Sequence, residues 1–204
     1  MSNDINQAIA YAVDICNDET HGYSNGDVRP RNLNPDTDCS GLVYYALKNG
    51  GQFENIGSLW YTGNMMDRLR AMGFTEYVFN PGHYGEYVPV HGDICVHRES
   101  DRGHAMFYAE NVLGFPTKES TTRSIIPQAM IEAIKDYDNH EGDSRYEGDK
   151  AYREVWVHNW QGLYNPTGVT NAVWHVFRWG GAPGPTPPGN PLPIWLMFKM
   201  KEGV

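Results

Sequence analysis

The chain has 204 residues, enough for one domain with a sizeable core, and a net charge of −9 without any Lys/Arg run, which argues against nucleic acid or an anionic membrane as its main partner. Its three cysteines, Cys16, Cys39 and Cys95, are too few and too scattered for a disulfide framework or a zinc site, and suit a chain folded in a reducing cytosol. Residues 1–7 are polar and acidic with no secretory character, and no apolar run approaches the roughly 20 residues that a bilayer span needs.

In chain order, Ile5, Ala8, Ile9, Ala12, Val13 and Cys16 fall at helical spacing and predict a first helix over 5–17. Residues 17–35 are polar and broken by Gly22, Gly26, Pro30 and Pro35, the pattern of a long irregular loop. A second helix is expected over 39–48, capped by Thr37 or Asp38 and stopped by Gly50-Gly51. A third fits 64–72, with Met65, Leu69 and Met72 on one face and Gly73 ending it. After Phe74 the texture changes. Segments 92–97, 104–110, 130–135, 154–160 and 174–179 are short, rich in β-branched and aromatic residues, and separated by turn residues. Helices followed by an antiparallel sheet make an α+β fold.

Two segments interrupt this order. Residues 136–150 ("DYDNHEGDSRYEGDK") form an acidic loop, whose aspartates lack EF-hand spacing for calcium. Residues 180–193 carry six of the thirteen prolines. The expected organisation is therefore a domain over 1–180, a Pro/Gly-rich linker over 181–193 and a short tail over 194–204. Thirteen tyrosines and six tryptophans read first as core filler, although such surfaces also bind sugars and peptides.

The chemistry concentrates at "NPDTDCSGLVYYALKNGG". Cys39 falls where the second helix begins, and free amides with the positive end of the helix dipole favour a thiolate there. Ser40 and Gly41 are small and leave room for a substrate carbonyl beside first-turn amides that stabilise an oxyanion. Asp38 opposes ionisation of the thiol unless its carboxylate is engaged as the cap. The plain alternative makes Cys39 a small core residue. A nucleophilic cysteine needs a base, and the best-placed histidine is His104 in "GDICVHRESDRGHAMFYAE", at the mouth of a strand. His97 and His91 are rivals. With Asp93 they would suggest a metal site, but their spacing fits no common zinc pattern.

"DTDCSGLVYYAL" resembles the nucleophile helix of the NlpC-type papain-like peptidoglycan hydrolases, and "GDICVH…GHAMFY" resembles their strand pair. "LWYTGNMMDRLRAMGF" is similar to the bacteriophage branch, and the resemblance covers about residues 5–180. It implies a cysteine nucleophile (Cys39), a base (His104), and a third polar residue on the strand after the histidine strand. In "MIEAIKD" that is Glu132, with His158 and Asn159 on the following strand as alternatives. Tyr23 matches a tyrosine that lines the site upstream of the cysteine. With Asp38 and Ser40 it is a candidate substrate-binding residue.

The resemblance implies hydrolysis of an amide in the peptidoglycan stem peptide, either as N-acetylmuramoyl-L-alanine amidase or as D-glutamyl endopeptidase, with no metal or organic cofactor. The expected partner is a Gram-positive wall, without membrane insertion. A lysin without a signal would accumulate in the host bacterial cytoplasm and act on the wall after release. Two other readings stay open: a catalytically inactive wall-binding or structural phage protein, and a papain-like acyltransferase.

Overall fold

The computed structural model describes residues 3–18, 20–24, 32–34, 36–99, 102–117, 120–134, 154–165, 169 and 171–180. The acidic loop, the linker and the tail expected from the sequence lie outside these residues. Three α-helices come first: α1 (Ile5–Asn17), α2 (Cys39–Tyr45) and α3 (Thr62–Ala71). Six strands follow: β1 (Thr75–Phe79), β2 (Ile94–Glu99), β3 (Arg102–Gly114), β4 (Ser124–Ala133), β5 (Val155–Asn159) and β6 (Trp174–Arg178). They form one antiparallel sheet in the order β1-β6-β2-β3-β4-β5. The α+β class expected from the sequence is thus present.

Asp4 caps α1, its carboxylate accepting from the amides of Asn6 and Gln7. The buried face of α1 is Ala8, Ile9, Ala12 and Cys16, which belongs to the helical spacing expected from the sequence. The second helix changes character after seven residues. From Ala46 to Gly50 it continues as a π-helical turn, so the expected 39–48 helix is two segments. The third begins at Thr62, two residues before the expected start, where the Asn64 side chain accepts from the Tyr61 amide and closes the first turn.

Side chains alternate across each strand. Ile94, Val96, Ala105, Phe107, Ile131 and Val157 join the helices in one core, while Cys95, Met106, Met130, Trp174 and Val176 belong to a second core with Tyr77, Phe79, Tyr87 and Leu163. Both faces of the sheet are therefore covered. Much of the segment between Glu110 and Met130 belongs to β3 and β4. β3 runs on to Gly114 and β4 starts at Ser124. The ladder between them skips one pair, where Asn111 takes φ 55° beside Pro127. Proline has no N–H to give the ladder, and asparagine tolerates the left-handed region. No helix among the described residues is long and apolar enough to cross a membrane.

Candidate active site

The first turn of α2 meets the start of β3. Asp38 is the N-cap of α2: its carboxylate accepts from the Gly41 amide at 2.5 Å and from the Ser40 hydroxyl at 2.9 Å. The Ser40 hydroxyl also lies 3.3 Å from the Trp60 carbonyl. Asp38 and Ser40, expected to touch substrate, are thus buried and bonded within the helix start. The carboxylate that would have opposed the thiolate is engaged as the cap. Cys39 follows it as the first helical residue and is 6% exposed.

Two glycines explain why the histidine sits where it does. A Cβ at Gly103 would lie 2.5 Å from Thr62 Oγ1, so only glycine lets the start of α3 close against the strand at His104. Gly92 takes φ +89° in the turn before β2. The adjoining Asp93 is buried, accepts from the Tyr87 hydroxyl and the Val90 amide, and is held by two Arg178 nitrogens, Nε and Nη2, each at 2.7 Å. The Gly-Asp pair therefore shapes the turn into β2.

His104, with its side chain 13% exposed, places Nε2 2.6 Å from Glu132 Oε2. Glu132, on β4, pairs with Met106 across the ladder and lies diagonally opposite His104. Its other oxygen, Oε1, is 2.7 Å from His158 Nε2 on β5. The alternatives for the third site residue are therefore neighbours: Glu132 and His158 form one chain of contacts with His104. Asn159 points to the exposed side.

Burial pushes Glu132 up, but the hydrogen bonds from His104 and His158 overturn it and hold the carboxyl at about 2. Burial likewise pushes His104 down. Hydrogen bonds to Cys39 and Glu132, with their charges, carry it instead up to about 10. Because an ionised carboxylate only accepts, His104 must present N–H at Nε2, which leaves Nδ1 as the nitrogen for Cys39. The arrangement can hold an imidazolium beside a thiol at neutral pH, with the ring fixed by a buried carboxylate.

The other sequence candidates fall elsewhere. Tyr23 forms an isolated parallel bridge with Thr37, two residues before Cys39, and its amide donates to Glu154. That places its backbone along the approach to α2. His91 accepts from the Glu110 amide through Nδ1. His97 is 2% exposed, directly across the ladder from His104, with neither ring nitrogen hydrogen-bonded among the described residues. Among those residues no group of three or more His, Cys, Asp or Glu side chains is placed to hold a metal ion. Cys16 and Cys95 are buried, and burial raises both thiols.

Sequence reading missed Tyr164, in the segment after β5. Burial raises its hydroxyl, and the charges of Glu132 and Cys39 raise it further, which puts it beside the site. Its only signal in the sequence is the aromatic content of "WQGLYNP". No family model matches the chain, and no curated protein matches it.

Proposed function

We propose that this chain is a cysteine amidohydrolase of the NlpC-type papain-like class that cuts an amide in the peptidoglycan stem peptide. One observation carries the catalytic part of the reading: His104, held by Glu132 at 2.6 Å, lies near enough to Cys39, at the start of α2, for the thiol to raise its proton affinity. The substrate class rests on the resemblance of "DTDCSGLVYYAL" and "GHAMFY" to that family, with the helices-then-sheet order as support.

In this reading Cys39 thiolate adds to the amide carbonyl, and the Cys39 amide, at the start of the helix, donates to the oxyanion. The tetrahedral adduct collapses as the C–N bond breaks, and His104 gives its proton to the leaving amine. Water, losing a proton to His104, then attacks the thioester. The C–S bond breaks, releasing the carboxylic acid, which gives its proton to solvent, and restoring the Cys39 thiolate beside the His104 imidazolium. Glu132 keeps its charge throughout and stabilises the imidazolium, the part an orienting carboxylate plays in a catalytic triad. A lysin of this kind acts from the host cytoplasm once the membrane is opened. The scissile amide is either the lactyl–L-alanine bond or a bond after D-glutamate.

The test is loss of turbidity in a panel of Gram-positive walls with wild-type protein and Cys39→Ser, followed by mass spectrometry of the released ends. Clearing by wild type alone is the expected result. New L-alanine amino termini identify the amidase, and cleavage further along the stem identifies the endopeptidase. Failure of wild type on every wall, with Cys39 inert to alkylation, would instead point to an inactive binding protein.

A further inference from the structure

His158 has no part in the scheme above, yet few side chains are held more closely. It is 3% exposed, donates to Glu132 Oε1 at 2.7 Å, and stacks on Trp156 with centroids 3.8 Å apart and planes 16° from parallel. Glu132 gives one oxygen to each histidine, Oε2 to His104 and Oε1 to His158, in surroundings that leave it 2% exposed.

We propose that His158 is a positioning residue for the Cys39–His104 pair, acting through Glu132. The proposal rests on the reading of Cys39 and His104 as nucleophile and base. Its physical content is simple. Without the His158 N–H, Oε1 would be a buried carboxylate oxygen lacking that donor. Glu132 would relieve the cost by taking a proton or by rotating towards another donor. The first response removes the charge that favours the His104 imidazolium and the second moves it away from the ring, and the imidazolium is what favours a thiolate beside it. The stack on Trp156 fixes the ring plane, so the N–H is aimed before any substrate arrives.

Other titratable groups face this carboxylate from each packed element. His104 comes from β3, Cys16 from α1 and Tyr164 from the segment after β5, while Cys39 of α2 reaches it through His104. Burial and the Glu132 charge keep Cys16 and Tyr164 protonated, so neither changes charge across the working range. His97, across from His104, is held neutral. Among the groups around this carboxylate, His104 therefore carries the pH response, and His158 acts on it through Glu132.

The test needs no cell wall. The rate of Cys39 alkylation by iodoacetamide is followed against pH in the intact chain, mapped by mass spectrometry, for wild type, His158→Phe and His158→Gln. Phenylalanine keeps the stack on Trp156 and removes the donor, while glutamine restores an N–H near the position of Nε2. In His158→Phe the acid limb of reactivity moves up by about one pH unit, and the rate near neutrality falls about tenfold. His158→Gln recovers most of both. A folded His158→Phe with the wild-type profile overturns the proposal. So does a pH limb that stays put while both variants only lower the unfolding temperature, since that marks a packing role. Wall lysis is read separately: its absence alongside a shifted alkylation limb would sink the substrate reading and leave this one standing.

Discussion

His97 and His104 face one another across the β2–β3 ladder with ring centroids 6.3 Å apart, yet their proton affinities are driven in opposite directions. Burial pushes both down. On the His104 side the next strands supply Glu132 and, beyond it, His158, and together with Cys39 they carry His104 up to about 10. On the His97 side the next strand, β6, supplies the Trp174 ring, edge-on at 4.7 Å, which accepts no proton. Burial then acts unopposed, the charge on His104 adds to it, and His97 falls to about 4. Two histidines at matched positions thus take different roles because of the strands behind them. Residue type and strand position do not decide it; the neighbour does.

The comparison breaks most completely when the active half is dismantled. Cys39→Ser or His104→Ala is expected to lower wall hydrolysis by about 10³-fold or more, measured as turbidity loss. Glu132→Gln keeps the shape and removes the charge, which turns His104 into a histidine more like His97. Its pKa then falls from about 10 towards the ordinary 6.5, read by NMR titration of the ring. Hydrolysis drops with it by about 10²–10⁴-fold. An unmoved His104 titration would mean that Glu132 does not hold the ring's charge.

A smaller effect tests the seam on which His104 rests. Gly103→Ala drives a Cβ into Thr62, so α3 must shift, and stability should fall by about 1–3 kcal/mol in chemical denaturation. Wild-type stability in this variant would mean that the start of α3 yields without cost.

The smallest effect belongs to the silent half. His97→Phe keeps an aromatic edge on Trp174 and removes two buried nitrogens that have no partner among the described residues. It should leave hydrolysis within about threefold and stability unchanged or up to about 1 kcal/mol higher. Its sharper signature is in pH. Because His97 is depressed to about 4, the unfolded chain binds a proton between 6.5 and 4 that the folded chain refuses, and stability is lost as pH falls through that window. Glu132, held at about 2 against an ordinary 4.5, adds a second loss as pH falls from 4.5 towards 2. His104 works on the other side. Its contribution is complete below 6.5 and is lost as pH rises through about 10. Denaturation midpoints measured across pH should show both acid losses in wild type, and only the one below 4.5 in His97→Phe.

Much of this was legible in the sequence where the cause is local. Asp4 before an apolar helical stripe marks α1, and Asp38 before Cys39 marks the start of α2, because a capping carboxylate acts within three residues of its own position. Five of the six strands were visible as β-branched and aromatic runs; β1, "TEYVF", was not expected as one, and pairing with β6 completes its ladder. Cys39 and His104 were legible for the same reason, since each sits at the end of an element that its neighbours announce.

What the sequence by itself determined is therefore the class of the fold, the helix that presents Cys39 and the strand that presents His104. The tertiary structure alone decided that Glu132 stands between His104 and His158, that Ser40 and Asp38 turn inward, that Tyr164 lies by the site and that His97 stays silent. The physical reason is distance along the chain. Glu132 is 28 residues from His104 and 26 from His158, and only the register of β3, β4 and β5 brings the three together. Register depends on which faces of three strands are buried at once, and no single segment carries that information.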